Sequence, residues 1–194
     1  TNPPIDPLRE GLVMSLMGFT GTKRNILDET PEHCRQLKIP HPILTNEDID
    51  RLRSVKKDYF KVATITAVFN AKADDPVQSL HNALDKLLNQ AQNAINDGAS
   101  IIIVSDRDIS HDNAPIPSLL ATSALHHGLI KRKIRSRAGL IIESGEPKEV
   151  MHFCLLCGYG ANAVNPYLAF EALNELQHQA QIPATIEPSQ IVDN

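Results

Sequence analysis

Tryptophan is absent, and aromatic residues make up only 4% of the chain. A broad stacking platform for nucleobases or sugars is therefore not expected. Cysteine is scarce: Cys34, Cys154 and Cys157 are the only three. That is too few for a disulfide framework and favours a reducing compartment. Positive charge is not in excess either. Nineteen Lys and Arg against 23 Asp and Glu give a net charge of −4, which excludes an electrostatically driven nucleic-acid binder. Apolar runs such as Ala138–Ile142 fall far short of the roughly 20 residues of a membrane span, so no membrane partner is expected. Thr1-Asn2-Pro3-Pro4 has neither the charged nor the apolar region of a secretory signal, and none is expected. Without an initiating Met, the chain reads as processed or cut from a longer one.

What is present is an ordinary globular mixture. The 194 residues are 42% hydrophobic and 22% charged, enough for one domain, or one domain with a small lobe. Residues 1–55 are punctuated by Pro3, Pro4, Pro7, Pro31, Pro40 and Pro42. They read as an irregular arm with short helices, one of them capped within Asn46-Glu47-Asp48. Residues 56–180 read as an α/β core, and 181–194, with Pro183 and Pro188 and no periodicity, as a linker or tail.

Within the core, strands and helices alternate. Val62–Phe69 is rich in β-branched residues and predicts a strand. Asp75 and Pro76 open a helix whose stripe is Leu80, Leu84, Leu87, Leu88, Ala91 and Ile95, with Gly98 as its stop. Ile101–Val104 reads as a strand buried on both faces. Pro115–His127 predicts a helix closed by Gly128, and Gly139–Ile142 a third strand. A helix from Pro147 to Gly158, a strand over Ala161–Val164 and a helix over Pro166–Gln179 complete the pattern. Four such units predict an α/β fold with a mostly parallel sheet.

Ligands of parallel α/β folds gather at the carboxyl ends of the strands. Three loops qualify: Asn70–Asp75, Ser105–Ala114 and Glu143–Glu146. The second is the most polar stretch of the chain. A metal or acid–base reading would use Asp106, His111 and Asp112. The simpler reading, preferred because no metal-ligand spacing closes there, pairs Asp106 with Arg107 and lets Asp112 or Asn113 cap the next helix. Cys154 and Cys157 have CxxC spacing but lie late in an apolar helix and read as buried small hydrophobes. His126-His127 reads as a cation at a helix end, and Lys131–Arg137 as a solvated connector or docking contact at the opposite edge of the sheet from these loops. GxSxG, Walker and HExxH motifs are missing.

Several stretches together resemble a known family. Thr1–Glu10 (TNPPIDPLRE), Val13–Leu16 (VMSL), Ser105–Arg107 (SDR), Ala114–Ala121 (APIPSLLA), Gly139–Glu146 (GLIIESGE), and Gly158–Ala161 with Pro166–Leu168 are similar to the central domain of glutamate synthase, of the large (alpha) subunit or ferredoxin type. The resemblance runs in order to about residue 176. It implies a fold like a reduced relative of a (β/α) barrel, set between an amidotransferase domain and an FMN-binding domain of one cytoplasmic or plastid-stromal polypeptide. In such an enzyme glutamine yields glutamate and ammonia. The ammonia crosses an internal tunnel to the FMN domain, where 2-oxoglutarate becomes glutamate. The 3Fe-4S cluster and FMN belong to that other domain. Reductant comes from ferredoxin, or from NADPH through a small NADPH-oxidising subunit.

The resemblance implies no catalytic, cofactor-binding or metal residue in this segment: residue 1 is Thr, not a Cys nucleophile, and Cys34, Cys154 and Cys157 lack the cluster spacing. It also points to Gly21–Leu27, which keeps the family's Gly-x-x-x-Asn frame but with Lys23 and Arg24 inside it. Thr20, Gly21, Thr22 and Asn25 are the candidate tunnel loop, able to offer neutral hydrogen bonds to ammonia. A surface turn capped by Asn25 accounts for the same residues. Two other functions remain open: an independent small-molecule-binding α/β module using Ser105–Ala114, and a hydrolase or lyase based on Asp106 and His111.

Overall fold

Residues 15–55, 57, 59–179 and 181 are described by a computed structural model of the chain. The Thr1–Glu10 motif and the tail beyond Gln181 lie outside them. Strand β1 (Gly18–Thr20) pairs antiparallel with β2 (Leu37–Ile39), with a 3-10 helix over Pro31–Cys34 between them. Helix α1 (Asn46–Ser54) follows. Its cap is Thr45, one residue earlier than expected: the Thr45 hydroxyl accepts from Asp48 N–H, and the Asp48 carboxylate accepts from Thr45 N–H at 3.1 Å. That reciprocal pair satisfies two otherwise unpaired donors.

Strands β3 (Lys61–Thr66) and β4 (Val68–Asn70) replace the single expected strand Val62–Phe69. The break is Ala67, whose N–H donates to Ser105 O while its carbonyl accepts from Ile116 N–H. The chain bends there because its two bonds lead to different partners. Helix α2 (Pro76–Asn96) is capped by Asp75, which accepts from Gln78 N–H at 2.9 Å, and Gly98 follows at φ +91°. Its stripe centres on Leu87, Ala91 and Ile95; Leu80, Leu84 and Leu88 are half-buried beside them.

Strand β5 (Ala99–Ser105) is buried throughout. Strand β6 (Asn113–Pro115) pairs antiparallel with β4, so Ser105–Ala114 ends in a two-stranded ribbon and not in a helix cap. Helix α3 (Ser118–Lys131) is instead capped from a distance: the Glu146 carboxylate accepts from Ser118 N–H at 2.8 Å and from its hydroxyl at 2.6 Å. Nor does α3 stop at Gly128. That glycine lets α2 and α3 approach, since a Cβ there would sit 2.6 Å from Leu88 methyl carbons. The stop is Lys133 at φ 57°, with Ile134 N–H donating to Leu129 O and Lys133 N–H to Ile130 O. This is the Schellman arrangement with a lysine where glycine is favoured. Lys133→Gly is therefore expected to raise stability by about 0.5–1 kcal/mol in denaturant melts.

A short 3-10 helix (Arg135–Arg137) leads to β7 (Gly139–Glu143). Helix α4 is shorter than expected, Val150–Gly158, and its terminator is Gly160 at φ +109° rather than Gly158. Strand β8 (Ala163–Asn165) and helix α5 (Tyr167–His178) complete the fold.

Strands β3, β5, β7 and β8 form one parallel sheet in that order. No barrel closure occurs among the described residues. Alternation within the buried strands splits the core. Ile102, Val104, Leu140 and Ile142 face α2 and α3, whereas Ile101, Ile103 and Ile141 face Ile39, Leu44, Ile49 and Leu52 of the arm. The arm thus supplies the second layer over the sheet. It also borders β8, where Leu44 N–H donates to Val164 O and Val164 N–H to Pro42 O.

Candidate functional site

Strands β3, β5, β7 and β8 end at Thr66, Ser105, Glu143 and Asn165, so one edge of the sheet gathers the polar residues that follow them. Glu143 is the centre. Its side chain is 1% exposed, and two arginines from separate elements reach it: Arg53 of α1 at 2.6 Å and Arg107 at 2.9 Å. Arg107 extends to Glu171 of α5 at 3.1 Å and lies 3.9 Å over the Tyr167 ring. Burial alone would raise the Glu143 carboxyl. Hydrogen bonds from Ser105, Arg53 and Arg107 outweigh it and hold the group below its ordinary value.

Asp106 does not pair with Arg107. It is buried, and accepts from the Ser144 hydroxyl at 2.6 Å and from Gly145 N–H at 3.2 Å. Burial first, and then the hydrogen bond to Asp106, push the Tyr167 phenol upward. Asp108 accepts from the Thr66 hydroxyl at 2.7 Å. His111 and Asp112 stand apart from this group, beside the two-stranded β4–β6 sheet. His111 is 87% exposed, and Lys72 reaches both of them, Asp112 at 3.2 Å. Asp106 and His111 therefore belong to separate networks. The end of the sheet where α/β proteins hold ligands is closed by its own ion pairs.

The Thr20–Leu27 stretch lies at the opposite end. Thr20 packs against Gly139 at the start of β7, Lys23 N–H donates to Ser136 O, and the Thr22 hydroxyl donates to Arg137 O at 2.7 Å. Thr20 is buried with its hydroxyl unpaired among the described residues, and Gly21 is at φ +135°. Asn25 is exposed and turns the chain locally: its side-chain oxygen accepts from Leu27 N–H, and its amide donates to Asp28. Lys23 and Arg24 are exposed, as are Ile26 at 89% and Leu27 at 84%.

Other expectations change. Cys154 is exposed and Cys157 half-buried, because α4 packs only part of its circumference, with Leu156 its one fully buried residue. His126 is no helix-end cation: Arg135 Nε donates to its Nδ1 at 3.1 Å, and burial, then the Arg135 and His127 charges, lower its pKa. Arg135 also donates to Ala138 O and Gly160 O, so the basic run is partly structural. Sequence reasoning missed Arg53, Tyr167 and Glu171. The one available signal was Glu143, a charge ending an apolar strand. Among the described residues, no three His, Cys, Asp or Glu side chains converge on a metal position, and no helix is long and apolar enough to cross a membrane.

Comparison with known proteins follows from the whole length of the chain. The family model described as "Glutamate synthase central domain" matches residues 1–193. A Schizosaccharomyces pombe "Glutamate synthase [NADH]" is 42% identical over 98% of the chain, which spans 9% of that protein. A Bacillus subtilis "Glutamate synthase [NADPH] large chain" is 37% identical over 96%, spanning 12% of it. A Cyanidium caldarium "Ferredoxin-dependent glutamate synthase" is 42% identical over 89%, spanning 11%. The chain is thus about a tenth of the length of these relatives.

Proposed function

The chain belongs to the family of glutamate synthase central domains, and from that premise we propose that it connects an amidotransferase domain to an FMN-binding domain and borders the ammonia passage between them. The observation that carries this reading is the match from end to end to a segment that is about a tenth of its relatives. The sealed carboxyl edge of the sheet supports it: Glu143 and Asp106 are held by structural partners, which suits a scaffold better than an active site. The outward side of α4 supports it too. Val150, Met151, Cys154 and Leu155 are exposed there, an apolar surface suited to cover by another domain.

In this reading the whole polypeptide makes glutamate from glutamine and 2-oxoglutarate in the cytoplasm or a plastid stroma. Relatives are named for NADH, NADPH or ferredoxin, so the reductant is one of these, delivered by ferredoxin or a small oxidising subunit. FMN and a 3Fe-4S cluster belong to the flanking domain. The cysteines here do not fit a cluster: Cys34 sits in the arm, whereas Cys154 and Cys157 share one helix.

Ammonia must cross without meeting water, where it would be protonated. The proposed loop offers neutral groups and close backbone: Thr20, whose hydroxyl has no partner among the described residues, Gly21 and Thr22, with Asn25 shaping the turn. The exposed Lys23 and Arg24 side chains can stay outside the passage. The direct test of the domain assignment is the reading frame around this segment. A long frame is expected, with a Cys-initiated domain upstream and a flavin domain downstream, and the 194-residue chain alone should purify without flavin absorbance. An isolated frame, or stoichiometric FMN on the chain itself, would reject it in favour of the small-molecule-binding module.

A further inference from the structure

The amino end of the sheet gathers positive charge in a chain that is negative overall. Arg24, Arg35 and Arg137 line an open groove of about 550 Å³ together with Glu32, Tyr59 and Ser100. Among the described lining residues, three arginines against one carboxylate give an excess of two positive charges, in a protein whose net charge is −4. Glu32, the acid among the described lining residues, is held below its ordinary value first by hydrogen bonding with Thr30, while Arg35 at 3.8 Å is beyond hydrogen-bonding distance and acts through space. Among the described residues, the Arg137 guanidinium makes no hydrogen bond or ion pair, and Arg24 has only the through-space attraction of Glu32. The groove is held open by backbone. Thr22 and Arg24 face it, while Gly21 and Lys23 line a second cavity on the other side of the loop, and the Thr22 bond to Arg137 O ties the two walls together.

We propose that this groove binds a small dianion, its two charges carried as phosphate or as carboxylate. Arginines that line one groove repel one another unless an anion neutralises them, and guanidinium forks match both acid types bidentately. The volume is that of a metabolite and not of a macromolecular segment. Tyr59, half exposed with the Arg35 guanidinium 5.7 Å over its ring, supplies a flat wall for a short carbon stem. The site lies at the opposite end of the strands from Glu143, so occupancy leaves the ion pairs there untouched. It shares Thr22 with the loop proposed for the ammonia passage but is carried by the arginines, which that passage does not use.

The test reads local protection in the full-length polypeptide. Hydrogen exchange of peptides covering residues 22–36 and 97–101 is followed while inorganic pyrophosphate or succinate is titrated in separate arms. Saturable slowing is expected with at least one of them, half-maximal below about 1 mM. Pyrophosphate alone assigns a phosphate ligand; succinate alone assigns a dicarboxylate. Arg24→Gln with Arg137→Gln should weaken the effect at least about tenfold, while Arg51→Gln, an exposed arginine of α1, should leave it unchanged. An unchanged melting temperature shows that the double variant is folded. No protection by either anion at about ten times that concentration, or equal protection in the double variant, overturns the proposal.

Discussion

Replacing Arg53 and Arg107 together by methionine is expected to destabilise the fold by about 3 kcal/mol at neutral pH. The reason is the partner left behind. Glu143 is 1% exposed at the end of a fully buried strand and would keep its charge with neither guanidinium near it. Methionine retains most of the packing of each arginine stem, so the loss isolates the charge. Glu143→Gln should cost less, because both arginine heads are about a third exposed and can be rehydrated. The pH dependence follows from the sign of the shift. Glu143 is held below its ordinary value of 4.5 in the folded chain, so it contributes stability above about 4.5. That contribution is lost as pH falls through the lower, folded value. In the double variant burial raises the carboxyl instead, and the gap between the two proteins should narrow on acidification. Urea melts at neutral pH and near pH 4.5 check both points. A gap that is small at neutral pH, or that widens in acid, would show that Glu143 is solvated.

Gly160→Ala should be comparably damaging, by about 3 kcal/mol, for two separable reasons. The residue sits at φ +109° as the terminator of α4, with Ala161 N–H donating to Leu156 O and Gly160 N–H to Cys157 O. A side chain there is strained whatever the space. Its Cβ would also fall on the His126 ring, which is fixed by the hydrogen bond from Arg135. Adding His126→Ala to Gly160→Ala removes the collision and leaves the backbone strain, so the pair should recover part of the loss, to about 1–2 kcal/mol after correcting for His126→Ala alone. No coupling between the two sites in a double-mutant cycle would show that the ring moves aside freely.

Local chemistry explains which elements were legible. The buried runs Ile101–Val104 and Gly139–Ile142, the Asp75-Pro76 opening and the Gly98 stop announce themselves because neighbouring residues create them. The errors occur where the deciding partner is distant in sequence. Glu146 caps α3 from 28 residues away, and Ala67 breaks a strand because Ser105 and Ile116 claim its two backbone groups. Gly128 resembles a stop, yet its purpose is to admit Leu88, while a lysine takes the left-handed position. The strand-end network was half visible. Asp106, Arg107 and Glu143 stand in polar loops after apolar strands, but Arg53, Tyr167 and Glu171 join them only through tertiary packing. A CxxC spacing says nothing of which side of α4 remains uncovered.

The proposed role as a conduit rather than a reaction centre is tested most directly by separating the two sources of nitrogen in the full-length enzyme. Thr20→Val removes the buried hydroxyl while nearly conserving shape, and Asn25→Trp places a large ring at the Thr20–Leu27 turn. Glutamate formation is measured once with glutamine and once with added ammonia, alongside glutamine hydrolysis. Asn25→Trp is expected to depress the glutamine-dependent reaction and release ammonia to solution, while synthesis from added ammonia persists, with a weaker effect of the same kind for Thr20→Val. Equal loss of both reactions, or no loss of either, would contradict it.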